Sequence, residues 1–424
     1  MASVIGLTQP LLSDGIRSTY FFNGRLLTGS DMRREQEAWR EAARRLGQAA
    51  GEGVAFGLEV SKAPATTRES PTVTVRAGLA VNRHGQTLLL SDDAQVALVR
   101  RLDEGAPAAQ TFDTCRPLQA GDYIAGDGVY VLTIAPAQGI EGRAPTSGLG
   151  NGAASCNTDA VVEGVQFRLV QINPPFITEA ELQQTARLRN LVAHKCFGTA
   201  ELAHVAADPF APPPEKLNLL DELRGGQLSD CDVPLAVLYW TLADGLAFVD
   251  VWAARRRLTR PARSDRWSAL LDDRRASEAE AMFLQFEEQL EDIRAGETNL
   301  GALVLATRFK YLPPAGALPV SGLGSPTDFS LVAPFAGRAS REIAMLDAAR
   351  LRELLDDALR CEPFDLDQTE RVQLYFVWEN YRAVLAGRSR QLALVFAGPQ
   401  LSYRGTPRFG HARWDISRFG QTII

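Results

Sequence analysis

Between Thr28 and Gly51 the chain carries an apolar period that only a helix can use. Trp39, Ala42, Ala43, Leu46 and Ala50 fall at i, i+3, i+4, i+7 and i+11. Arg33, Glu37, Arg40, Glu41, Arg44 and Arg45 occupy the other side, so the spacing predicts one helix with a buried stripe. Thr28 and Asp31 have capping-box spacing with an acidic variant at the last position, and Gly51 and Gly53 end the helix. Beyond Gly53 the pattern switches to the two-residue period of strands. Runs at Ala55–Val60, Thr72–Arg76, Leu79–Val81 and Thr87–Leu90 sit between turn signals, with Arg83-His84-Gly85 as a hairpin tip. Val129–Ile134 and Val165–Ile172 are two more strands, rich in β-branched and aromatic residues. This order argues an α+β protein, strand-rich and multi-domain, with a few amphipathic helices and mixed or antiparallel sheets.

The chain has 424 residues, which is too long for one ordinary core. Three segments are expected. Residues 1–205 hold an N-terminal arm, the helix and a β-rich domain. Residues 206–336 hold a Pro-rich linker, a hairpin and a helix, and residues 337–424 hold a helix, further strands and an aromatic tail. Thr178 and Glu181 open a helix running to about Cys196. Val233–Thr241 and Leu246–Ala253 are strands joined across Asp244-Gly245, a dipeptide favoured in tight hairpins. Ala279, Met282, Phe283, Phe286 and Leu290 line a helix from about Ser277 to Ala295. Leu351, Leu354, Leu355 and Ala358 line another, expected from about Ser340 to Arg360. Val372–Trp378 and Gln391–Phe396 read as strands. Gly/Pro-rich stretches at about 135–157 and 317–327 read as long loops.

Charge and composition exclude several classes. Hydrophobic residues make up 46 % of the chain, so wholesale disorder is excluded. A formal charge of -6 supplies no basic field for a phosphate backbone, and no nucleic-acid partner is expected. The best basic run, Arg255-Arg256-Arg257, is followed by Asp265, Asp272 and Asp273 and reads as a surface patch or protein interface. The amino terminus lacks a basic n-region and a long apolar h-region, and no stretch has the length of a membrane span. Cytoplasmic synthesis without direct membrane insertion is the expectation. Five scattered cysteines fit free thiols in a reducing compartment better than a disulfide framework.

Little points to catalysis. His194, Cys196, His204 and the more distant Cys231 are the one group with zinc-like ligand chemistry. Their spacing matches no standard knuckle, and His194 and Cys196 also suit a helix end with a capping histidine and a buried thiol. No G-x-S-x-G elbow is present, and Gly148-Leu149-Gly150-Asn151-Gly152 lacks the Lys-Ser/Thr of a phosphate loop. Asp272-Asp273 and Asp356-Asp357 are adjacent pairs, which point apart on a helix. No cofactor is expected.

Seven runs are more specific: YFFNGRLLTGSDM (20–32), GVAFGLEV (53–60), GLAVNRHGQTLLL (78–90), DVPLAVLYW (232–240), FVDVWAARRRL (248–258), RFKYLPPAGALPV (308–320) and ARWDIS (412–417). Together they resemble a family of largely uncharacterised bacterial proteins associated with phage-tail-like contractile injection systems. The resemblance is spread over most of the chain and carries no catalytic motif. It implies a non-enzymatic baseplate, cap or peripheral accessory component, a homo-oligomer that works beside other tail-like particle proteins. Phe21, Phe22, Arg255, Arg256, Arg257, Trp414 and Phe419 are the candidate interface anchors, being aromatic or arginine residues on arms and patches. Two other classes compete with this one. The first is a surface- or glycan-binding module at the particle periphery, with Trp414 as its first platform. The second is a zinc-dependent enzyme on His194, Cys196 and His204.

Overall fold

The computed structural model describes residues 15–99, 123–124, 126–145, 156–172, 176–200, 208, 210, 216–260, 272–296, 304–319, 335, 339–358, 361–367, 372–378 and 393–397. Helix α1 (Gly29–Ala50) leads into six short strands: β1 (Gly53–Gly57), β2 (Val60–Lys62), β3 (Thr72–Val75), β4 (Gly78–Val81), β5 (Thr87–Leu90) and β6 (Ala94–Ala97). They form two three-stranded antiparallel sheets, β1-β4-β5 and β2-β3-β6. The long strands β7 (Gly128–Pro145) and β8 (Cys156–Ile172) come after them. Next come α2 (Glu179–Leu182), α3 (Thr185–Phe197) and α4 (Leu219–Leu223), and then β9 (Val233–Thr241) and β10 (Gly245–Asp250). Strands β7, β8, β9 and β10 make one antiparallel sheet in the order β10-β9-β7-β8.

The C-terminal part contains α5 (Val251–Ala254), α6 (Asp273–Gly296), β11 (Tyr311–Leu312), β12 (Ala315–Pro319), β13 (Ala339–Asp347), α7 (Ala348–Ala358), β14 (Phe364–Asp365), β15 (Val372–Trp378) and β16 (Ala393–Ala397). Its main sheet has the order β12-β16-β15-β13, with β13 and β15 parallel, and β11 pairs with β14. The described residues are 34 % helix and 36 % strand with no barrel, so the protein is α+β.

Strand β7 shows how the two-residue period builds the body. Val129 and Val131 point into a core shared with Leu188, Val192 and Cys196 of α3 and with Met282 of α6. Tyr130, Leu132 and Ile134 point the other way, against Val73, Val75 and Leu88 of the small sheets. The sheet is thus covered on both faces, and an alternating strand with two cores reads as a continuous apolar run.

The expected boundaries do not divide this architecture. Residues 128–172 and 233–250 share one sheet, so the break at 205/206 falls inside a single packed unit. Helix α6 places Met282 in the α3 core and Phe286 and Leu290 in a second core with Phe309, Phe364 and Phe396. The break at 336/337 is crossed as well, because β12 pairs with β16.

Four element assignments also change, the first being the strand expected over Leu246–Ala253, which ends at Asp250 where helix α5 begins. The helix expected from Ser340 is a strand up to Asp347, and only Ala348–Ala358 is helical. Arg341, Glu342, Ala344, Met345 and Leu346 are good helix formers, but parallel pairing with β15 overrides that preference. The loop expected at 135–157 is strand through Pro145 and again from Cys156. Pro136 is tolerated because β7 pairs with β9 only as far as Ile134, leaving that edge of the strand free. The helix expected over 178–196 is interrupted, with α2 and α3 separated at Gln183-Gln184.

Candidate interaction surface

Helix α1 forms where the sequence places it, with the Thr28–Asp31 capping box in place. Its stripe, however, is not buried. Trp39 is 76 % exposed, Leu46 74 % and Met32 53 %, and Asp31 is the only buried residue of the helix. The body instead meets the helix at two glycines near its C-terminal end. A Cβ on Gly47 would come within 2.1 Å of the Gly85 carbonyl oxygen, so the helix backbone lies directly on the β4–β5 hairpin tip. Gly51, at φ 115°, makes the same kind of approach to Thr259. Arg40 adds an ion pair to Glu163 of β8 at 3.1 Å. The helix backbone therefore meets the body at its glycines, while its charged side chains stay largely exposed and the apolar stripe turns out.

The arm before α1 is folded onto its first turn. The Thr19 amide donates to the Glu35 carboxylate, and the Thr19 hydroxyl donates to the Asp31 carbonyl at 3.0 Å. Arg25 reaches Asp31 at 2.6 Å and the Tyr20 carbonyl at 2.6 Å. Hydrogen bonds from the Thr28 hydroxyl and amide, helped by Arg25, pull the Asp31 carboxyl down to about 2. Asp31 thus ties cap, arm and helix together, and a carboxylate near a helix N-terminus also complements the helix dipole. Above this polar latch the arm displays Tyr20, Phe21, Phe22, Leu26 and Leu27, all more than half exposed. Tyr20 and Phe22 touch at 6.4 Å between ring centroids, and the Arg25 guanidinium lies 5.9 Å from the Phe22 centroid.

A second projecting element lies nearby. Beyond Ala137 the β7–β8 ribbon runs on without a third strand among the described residues, through the pairs Gly139↔Val162, Ile140↔Val161 and Pro145↔Cys156. Eight residues at strand rise extend it about 27 Å. Ile140, Val161 and Val162 are all exposed on it. A two-stranded ribbon gains little stability alone, and its free edges are templates for pairing.

The other anticipated anchors behave differently. Arg256 donates to the Trp252, Ala253 and Cys196 carbonyls, and its guanidinium stacks on Phe197 at 4.9 Å. Arg255 donates to the Gly57 carbonyl at 2.8 Å and covers Trp252. Both act as internal struts, and the 255–258 backbone runs alongside Val54 of β1. Arg257 is exposed and paired with Glu280 at 2.9 Å. Trp414, Phe419 and His204 lie outside the described residues.

Among the described residues the zinc-like group does not assemble. His194 is buried, its Nδ1 shares a hydrogen bond with the Thr199 hydroxyl at 2.9 Å, and its ring stacks on Tyr311. Burial pushes its pKa down to about 3 and pushes the Cys196 thiol up to about 12, so neither favours a charged form. Cys231 is disulfide-bonded, which removes it as a thiolate ligand and corrects the expectation of free thiols throughout. Among the described residues no group of three or more His, Cys, Asp or Glu side chains is placed to hold a metal.

A cleft of about 350 Å³ opens beside His194, lined in part by Phe176, Lys195, Glu222, Lys310 and Tyr311. Lys195 is engaged there by Glu181 and the Phe176 carbonyl. Among the described residues no helix is long and apolar enough to cross a membrane.

No family model and no curated protein matches the chain. The case for a site therefore rests on the geometry of the arm, α1 and the ribbon. Sequence periodicity located the helix stripe but missed its direction. The available signal was Gly47, at the border between the apolar stripe and the charged face, where a close backbone approach explains a helix-weakening residue.

Proposed function

We propose that this chain is a non-enzymatic structural subunit of a larger particle of the contractile, phage-tail-like kind. It acts as a baseplate, cap or peripheral component through protein–protein contacts made by the arm and α1. The observation that carries the reading is an ordered polar latch beneath an uncovered apolar surface. Asp31, Thr28, Arg25 and Thr19 fix the arm's shape, while Tyr20, Phe21, Phe22, Leu26 and Leu27 remain in water. Exposing such a contiguous patch is unfavourable for a free monomer and is typical of an interaction site. Pre-ordering it lowers the entropy lost on docking. The resemblance of residues 20–32, 53–60 and 78–90 to injection-system proteins supports the same reading, since these runs form the arm, β1 and the hairpin tip that seats α1.

The test is affinity capture of the tagged chain from its native host, followed by mass spectrometry and negative-stain imaging. Sheath and tube proteins with rod-shaped particles are expected. A Phe21→Ser/Phe22→Ser/Leu26→Ser variant is expected to lose them while keeping the wild-type melting profile. A wild-type eluate without tail proteins overturns the reading.

A further inference from the structure

The outward stripe of α1 has a regularity that the assembly reading does not use. Its large side chains, Met32, Trp39 and Leu46, recur every seven residues. In heptad terms they hold the first core position, and Glu35, Ala42 and Ala49 hold the second. The flanking positions are largely small or neutral: Gln36, Ala38, Ala43 and Ala50. Of the charged flanks, Asp31 is tied to Arg25 and Arg45 is tied to Glu41 at 2.9 Å. Arg33, Arg34, Glu37, Arg40, Glu41 and Arg44 all fall on the outer positions. Glu35 and Ala42 are partly covered, but Met32, Trp39, Leu46 and Ala49 are exposed, so the seam is apolar apart from Glu35 and largely open among the described residues.

We infer that this seam pairs with α1 of a second copy of the chain, antiparallel, about a two-fold axis between residues 40 and 41. The alternation of sizes selects that occupant and that direction. In a parallel pair Trp39 would meet Trp39 and Ala42 would meet Ala42, giving layers of very unequal width. In an antiparallel pair centred between residues 40 and 41, Trp39 lies over Ala42 of the other copy and Met32 over Ala49. Large residues then face small ones at these layers, as a well-packed seam requires. Leu46 reaches the height of Glu35, where Thr19 brings the other copy's arm onto the helix. The pairing is isologous and closes on itself, the commonest symmetry of soluble oligomers.

The area approaches the standard size only when the arm is counted with the seam. The exposed rings of Tyr20, Phe21, Phe22 and Trp39 leave roughly 500 Å² in water, against about 800 Å² per partner in a standard interface. Leu26, Leu27, Met32 and Leu46 supply much of the difference. The glycine contacts lie beside the stripe and leave the seam largely clear of the protein's own body.

This inference deepens the assembly reading by naming the occupant of the α1 half of the surface, and it rests on that reading only for the remaining outward contacts of the arm. Its test uses the purified full-length chain without particle proteins, so the two readings fail separately. Light scattering on a sizing column, up to roughly 100 µM and so well above the micromolar range of weak interfaces, is expected to give a dimer. Trp39→Glu/Leu46→Glu is expected to give a folded monomer with an unchanged circular dichroism spectrum of the body. Arg33→Glu on the outer face is expected to leave the dimer intact. Spin labels on Ser30→Cys are expected ~30 Å apart, from 1.5 Å rise over twenty-one residues. A monomer at all concentrations, a trimer, a dimer that survives the double substitution, or labels near the ~10 Å spacing of parallel neighbours overturns the inference.

Discussion

Helices α1 and α3 invert what their sequences suggest. Helix α1 has 22 residues, a clean apolar stripe and one buried residue. Helix α3 has 13 residues, weak amphipathicity and nine buried residues, among them Arg189, Asn190 and His194. The difference lies in what surrounds each helix. The β7–β9 sheet, α5, α6 and β11 enclose α3, so its polar residues must be satisfied inside the protein. Arg189 binds Asp250, Glu288 and Asp292. The Asn190 side-chain oxygen accepts from the Lys310 and Tyr311 amides while its nitrogen donates to the Tyr311 carbonyl. Helix α1 rests on the body through glycine contacts and Arg40. Periodicity tells which face of a helix is apolar; it does not tell whether the cover comes from the same chain.

The contrast can be broken by mutation. The largest effect is expected at Arg189→Met, which leaves Asp250 fully buried without its cation and costs about 3–5 kcal/mol in chemical denaturation. Leu188→Ala on α3 should cost about 2–5 kcal/mol by opening a cavity in the central core. The same truncation at Leu46 of α1 should stay within about 0.5 kcal/mol at low protein concentration. Equal costs at Leu188 and Leu46 would erase the distinction between the two helices.

Acid should separate the helices too. The folded pKa of His194 lies below its ordinary 6.5, at about 3, because burial disfavours the imidazolium. The unfolded chain therefore binds a proton first, and stability should fall as pH drops from about 6.5 towards 3. His194→Asn should flatten that slope in urea titrations carried out across this range. Asp31 has the opposite sign of group, an acid held at about 2 by Thr28 and Arg25. Its contribution is complete above the ordinary carboxyl pKa near 4 and is lost as pH falls towards 2. The smallest effect is therefore a local loosening of the arm in that window, visible as changed amide shifts at Thr19 and Thr28. It should be absent in Asp31→Asn, where the arm is already loosened.

The sequence made the local elements legible where local chemistry decides them. Both capping boxes, the Arg83-His84-Gly85 tip, the Asp244-Gly245 hairpin and the α6 stripe arise from residues a few positions apart. It was silent where distant partners decide. Ala339–Asp347 is a strand because β15 lies beside it, and the arginine run at 255–257 is largely internal because Gly57, Cys196 and Phe197 happen to receive it. The interaction surface was half visible. Phe21 and Phe22 stood out as an aromatic arm, while Trp39 and Leu46 were hidden by the reasonable assumption that an apolar stripe faces its own core.

The most direct test of docking through the arm and α1 is hydroxyl-radical footprinting of Tyr20, Phe21, Phe22 and Trp39 in the native complex, against the same chain unfolded in urea. Docking predicts that oxidation at all four rings falls several-fold in the complex. Oxidation as fast as in the unfolded chain would mean that nothing covers this surface at work, and it would contradict the central claim.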